Sequence, residues 1–181
     1  MPYPYQRILI IGCSGAGKST FARRLHQIFP QLKLIYLDRY YWRPGWVEPP
    51  KEEWEVLVKE LITRENWIMD GGYTGTIHLR APRADIIYFF DFPTWLCLLR
   101  AIKRILSNKL GLAKRPDMTE GCPERFDWEF FHFILIYNQK YKPRILKIFQ
   151  DIKLDPQKII YIKNDREVRQ ILSKLSAESR N

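Results

Sequence analysis

The sequence predicts an α/β fold, a parallel sheet wrapped by helices on both faces. Three observations predict it. Five short apolar runs lack the alternation of a half-exposed strand: Ile8–Ile11, Leu34–Leu37, Trp67–Met69, Ile86–Phe90 and Ile159–Ile162. Continuous apolar runs of this length suit strands buried on both faces, as in parallel sheets. Helical periodicity fills the intervals between them. Finally, a glycine-rich loop joins the first run to the first helix.

Taken in order, Phe21, Leu25, Ile28 and Phe29 give the first helix, and Trp54, Leu57, Val58, Leu61 and Ile62 the second. Both repeat with the three- and four-residue steps that put apolar side chains on one helix face. Trp95, Leu98, Leu99, Ile102 and Leu106 mark a further helix whose apolar side should face the core. Asp165 is placed to cap a last helix carrying Val168, Ile171, Leu172 and Leu175. Alternating strands and helices imply the parallel, doubly covered sheet. Two stretches interrupt the pattern. Residues 38–50 are rich in aromatics, Pro and Gly and read as a loop over the strand ends. Residues 107–125 carry Gly111, Pro116, Gly121 and Pro123 and read as a flap between helices. The helix after it, about 127–150, should kink or break at Pro143.

The 181 residues, 46% hydrophobic and 28% charged, suit one domain, with a lid insertion at about 107–126. This composition excludes general disorder, collagen-like repeats and a disulfide scaffold. Cys13, Cys97 and Cys122 are odd in number and lack paired spacing, so they read as reduced thiols of a cytoplasmic protein. No apolar stretch is long enough for a signal peptide or a membrane span. Thirty Lys plus Arg against twenty Asp plus Glu leave a net charge of +10, of which residues 91–181 hold +7. Such a surface attracts nucleotides, nucleic acid and anionic lipid alike, so charge alone does not choose a partner.

Chemistry enters at Gly12-Cys13-Ser14-Gly15-Ala16-Gly17-Lys18-Ser19, a full match to G-x-x-x-x-G-K-S/T between a buried strand and an amphipathic helix. Glycines let backbone N–H groups approach phosphates closely, and the helix N-terminus adds its unpaired donors and positive dipole end. Lys18 is a point charge for the β- and γ-phosphates, and the Ser19 hydroxyl suits Mg²⁺. Residues Gly12, Ser14, Gly15, Ala16, Gly17, Lys18, Ser19 and Thr20 therefore form the candidate site for ATP-Mg. A GTPase is not expected: Asn108-Lys109-Leu110-Gly111 lacks the carboxylate that reads guanine, and no Asp-x-x-Gly switch occurs.

Asp38, Asp70 and Asp91 each end or follow a predicted strand, and in a parallel sheet those ends gather at the ligand crevice. There a carboxylate can serve Mg²⁺ or orient an attacking hydroxyl. Asp91 reads rather as a helix cap. Asp70, followed by Gly71 and Gly72, reads as functional, as does Asp38. Arg100, Lys103, Arg104, Lys109, Lys114 and Arg115 form a basic run without an acidic group. Arg100 and Arg104 share a helix face, a repulsive arrangement that an anion between them would relieve. The aromatic loop Tyr40–Trp46 suits a lid or substrate pocket better than a nucleic-acid platform. His26, His78 and His132 lack metal-ligand spacing.

Beyond the phosphate loop, Trp42-Arg43-Pro44-Gly45-Trp46, Trp67–Tyr73, Arg80, Ala84-Asp85, Arg115–Met118 and Gly121–Glu124 resemble the topology modulation proteins of the adenylate-kinase-related group. The resemblance implies a five-stranded sheet of order 2-3-1-4-5 with a short helical lid. It places Asp70 with Ser19 at Mg²⁺, and Arg100 and Arg104 at the donor phosphates. It turns Arg80 toward an acceptor site shared with Asp38, Trp42, Arg43, Gly71 and Tyr73. Adenylate kinases proper have D-G-F-P-R where this chain has Asp70-Gly71-Gly72-Tyr73. The arginine that holds a nucleoside monophosphate is thus missing at that spot. The expected activity is a phosphotransferase moving the γ-phosphoryl group of ATP to a small acceptor, with Lys18, Asp38, Arg100 and Arg104 acting on the transferred group. Two alternatives are a nucleotide-dependent regulator associated with DNA or RNA and an ATPase switch without an acceptor.

Overall fold

The computed structural model describes residues 5–110, 117–123 and 127–179. Five parallel strands, β1 (Arg7–Gly12), β2 (Lys33–Tyr36), β3 (Trp67–Asp70), β4 (Ile86–Phe90) and β5 (Ile159–Ile162), form one sheet in the order β2-β3-β1-β4-β5. This is the order the resemblance implied. Central β1 pairs Ile10 with Asp70 of β3 and Gly12 with Phe90 of β4, so the phosphate loop leaves the sheet between two carboxyl-terminal strand ends. Residues 8–11 and 86–90 are buried almost completely, as strands covered on both faces must be. Each such Ile, Leu or Phe contributes on the order of 1.5–3 kcal/mol by leaving water.

Helix α1 (Lys18–Ile28) buries Phe21, Ala22 and Leu25, and Phe21 meets Tyr88 and Phe90 edge-on at 5.0 and 5.3 Å. The predicted loop at 38–50 contains one helical turn, α2 (Asp38–Tyr41), before α3 (Lys51–Leu61). Helix α4 (Ile77–Arg83) follows β3 through a short turn at Thr74–Thr76.

Helix α5 (Thr94–Lys109) corrects the expected apolar face. Its buried side chains are Cys97, Ala101 and Ile105, whereas Trp95 and Leu99 are 67% and 57% exposed. Cys97 faces inward because the backbone of this helix presses directly against the phosphate loop there. The expected helix at 127–150 is three pieces: α6 (Trp128–Ile136), a π-helical segment (Tyr137–Tyr141) and α7 (Lys142–Asp151). Pro143 lies in the first turn of α7, where its missing N–H leaves no hydrogen bond unmade. The interruption precedes it, in the π turn. For α8 (Asp165–Glu178), the cap is Asn164 rather than Asp165, its side chain accepting from the Glu167 N–H. Asp91 caps nothing either; the Lys142 ammonium donates to both its oxygens at 2.7 Å. Among the described residues, no helix is long and apolar enough to cross a membrane, and all three cysteines are free.

Candidate functional site

The phosphate loop runs from the end of β1 into α1 and needs its glycines for space. Gly15 has φ +84°, and a Cβ there would stand 2.2 Å from the Cys97 carbonyl oxygen of α5. The loop is therefore clamped between its own helix and α5. A hydrogen bond between the Cys13 and Cys97 thiols joins the same two elements. Lys18 Nζ donates back to the Cys13 carbonyl at 2.8 Å, spanning the mouth of the loop.

Asp70, at the end of β3, is 6% exposed and hydrogen-bonds with the Ser19 hydroxyl, while its Oδ1 is buried without a partner. Burial pushes its carboxyl up to about 6, with Lys18 and Ser19 pulling it down and Asp38 and Asp117 pushing it up. A carboxylate with an unsatisfied oxygen beside a phosphate-loop serine fits Mg²⁺, which takes few protein ligands and completes its shell with phosphate and water. Among the described residues no group of three or more His, Cys, Asp or Glu could hold a metal alone.

The raised carboxyl has a measurable consequence. The folded chain keeps a proton between pH 3.8 and about 6 that the unfolded chain has released, so stability falls as pH rises through that window. The loss is about 3 kcal/mol. Asp70→Asn removes this slope: in chelator-treated protein, urea unfolding should find the variant near wild type at pH 4 and more stable at pH 8.

Across the cleft, Asp38 opens α2 and accepts from the Tyr73 hydroxyl at 2.6 Å. Tyr73 has φ +30°, which a bulky side chain adopts only under constraint. The constraint is Arg80. Fully buried at 0% exposure, its guanidinium donates to the carbonyls of Gly71 (2.9 Å), Gly72 (2.6 Å) and Tyr73 (2.9 Å). Burial lowers its pKa to about 9, which leaves it charged at neutral pH. Arg80 thus shapes the wall behind the acceptor position and does not line the cleft, contrary to the expectation that it faces the acceptor. Gly71, at φ +149°, packs where a Cβ would meet the Leu37 side chain at 2.8 Å. Arg43 is also turned away, paired with Glu53.

Aromatic rings complete this end. Tyr41 lies 4.5 Å from Tyr73 and 5.0 Å from both Trp42 and Trp54, and Trp46 is 5.3 Å from Trp42. Flap residues 117–123 are fastened to this loop. Gly45 N–H donates to Gly121 O at 2.9 Å, Trp46 Nε1 to Pro123 O at 3.0 Å, and Thr119 Oγ1 to Arg39 O at 3.1 Å. The fastening brings Asp117 into the cleft.

On the opposite side, Arg100 Nη1 reaches Ala16 O at 3.4 Å while its Nη2 donates to Asp165 at 2.6 Å. Its guanidinium lies over Phe92, and that of Arg104 over Phe130. Lys114 and Arg115 of the basic run lie outside the described residues. One cleft of about 1740 Å³ is lined by the phosphate loop, Asp38, Trp42, Asp70, Gly71, Tyr73, Arg100 and Arg104. A typical small-molecule site is several hundred Å³, so there is room for a nucleotide and an acceptor together.

The structure adds Tyr41, Trp46, Glu48, Trp54 and Asp117 to the lining. Their sequence signal was faint. The aromatic loop pointed to a pocket without separating core from lining residues, and nothing local tied Asp117 to Asp38.

No family model and no curated protein matches the chain. Among solved structures it is similar to shikimate kinase from Acinetobacter baumannii in complex with shikimate, with a TM-score of 0.53 and 19% identity over 95% of this chain and 91% of that one. Deoxyadenosine kinase from M. mycoides with bound dCTP has a TM-score of 0.47 and 13% identity over 94% and 98% of the two chains. The fold is that of the P-loop kinases. The shared architecture puts the phosphate loop, β3 and the α2 turn around one crevice at the strand ends.

Proposed function

We propose that the protein is an ATP-dependent phosphotransferase that moves the γ-phosphoryl group to a hydroxyl acceptor. One observation carries this reading: a complete phosphate loop and a held carboxylate, Asp38, line the same cleft. An ATPase switch has no use for a second walled pocket. The residues quoted above for the topology modulation group support the same reading.

The loop amides and Lys18 hold the triphosphate. Ser19 and Asp70 would hold Mg²⁺, which neutralises charge on the phosphates when bound. The acceptor oxygen attacks the γ-phosphorus in line as the bond to the β-phosphate oxygen breaks, releasing ADP, and the hydroxyl proton passes to the Asp38 carboxylate. Tyr73 keeps that carboxylate aimed by donating to its other side. Arg100 and Arg104 face the charge that spreads over the transferring oxygens. Incubation with ATP-Mg and a panel of nucleosides, sugars and other hydroxyl compounds should give one product heavier by a single phosphoryl group in mass spectra. Free phosphate alone, whatever acceptor is offered, overturns the reading in favour of an ATPase.

A further inference from the structure

Helices α5 and α6 carry apolar side chains on the sides they turn to water. The two are antiparallel neighbours. Asn138, just past the end of α6, donates to Thr94 Oγ1 at the start of α5 at 2.9 Å, while Arg104, late in α5, lies over Phe130, early in α6. Cys97, Ala101 and Ile105 of α5 and Ile134 of α6 face the core. On the sides away from those residues, α5 carries Trp95, Leu99, Ile102 and Leu106, and α6 carries Trp128, Phe131 and Leu135. Trp128 is 76% exposed, Leu106 and Leu135 are also exposed, and Ile102 and Phe131 are half-buried. Trp95, Leu99 and Leu135 lie at the end of the helix pair remote from residues 111–126.

Spacing, area and charge point to one kind of cover. Residues 95, 99, 102 and 106 step by four, three and four, and 128, 131 and 135 by three and four. That is the repeat with which one helix seats its side chains between those of another. The seven side chains expose roughly 700 Å² of apolar surface, more than the largest patch of a typical monomer and close to the about 800 Å² that each partner brings to a stable complex. The fully exposed ionisable groups on these helices are Lys103 and Lys109 of α5 and Glu129 and His132 of α6. Both signs are present, so a copy docking on the same face can oppose unlike charges, whereas an anionic lipid surface would repel Glu129. We propose that the chain forms a two-fold dimer through the outer sides of α5 and α6, four helices packing across the interface. Trp95 and Trp128 supply the large aromatic anchors that such interfaces favour.

Interfaces of this size hold at micromolar concentration or below, so analytical ultracentrifugation of the full chain from about 1 to about 100 µM is the test. The main species at the upper end should have the mass of two chains. Trp95→Glu combined with Leu99→Glu should weaken association at least a hundredfold and leave monomers that keep the wild-type circular dichroism. Val56→Glu places the same charge on an exposed apolar side chain of α3 and should leave the dimer intact. Hydrogen exchange in the wild-type chain reads the same face without any substitution: raising the concentration should slow exchange in residues 94–110 and 128–136 and leave α3 unchanged. A wild-type monomer at every concentration, a dimer that survives the double substitution, or slowing confined to other elements would each overturn the proposal. So would a monomer that sediments with phosphatidylserine vesicles and loses them on the double substitution, which assigns the face to lipid.

Discussion

Lys18→Ala should lower phosphoryl transfer at least a hundredfold while leaving the melting temperature within a few degrees of wild type. The two outcomes separate because the ammonium has different work in each state. Without nucleotide, Nζ makes one hydrogen bond to the Cys13 carbonyl, and such a bond contributes about 1 kcal/mol net. With nucleotide, the same group faces the phosphates in a cleft where charge is poorly screened. Removing one preorganised charge-stabilising donor costs about 10²–10³ in rate in well-studied active sites. Calorimetry with ATP-Mg should show weakened binding alongside the rate loss. Transfer at the wild-type rate in this variant would refute the assigned role of the loop.

Gly15→Ala should cost about 3–5 kcal/mol, the range of severe core substitutions, and lower the melting temperature by roughly 6–20 °C. Two penalties combine at this position. The backbone sits at φ +84°, and the added methyl group would lie 2.2 Å from a main-chain oxygen of α5, which no rotamer change can move. Gly75→Ala is the control, since a Cβ there meets nothing within 4 Å, and it should stay within about 0.5 kcal/mol of wild type. Equal melting temperatures for the two variants would show that α5 does not bear on the phosphate loop.

The sheet was legible because buried parallel strands leave a plain mark, runs such as Ile86–Phe90 that keep the same bounds in the structure. The phosphate loop was legible because its spelling follows from one local geometry. Helix α5 was misread because size misleads at such a close approach: Cys97, Ala101 and Ile105 go inside while Trp95 stays out. The role of Arg80 was hidden for another reason. An arginine beside a ligand cleft and one bracing three carbonyls have the same letter, and only the depth of α4 separates them. Asp91 and Asp165 were read as caps from their neighbours in sequence, yet each is taken by a distant cation, Lys142 and Arg100.

The bonds between residues 117–123 and the Arg39–Trp46 loop make two walls of the cleft one mechanical part. Occupancy of the far pocket and the stance of the strap above it therefore draw on a single free energy. Thermodynamic reciprocity then requires that whatever shifts this part changes occupancy of the pocket by the same factor as occupancy shifts the part.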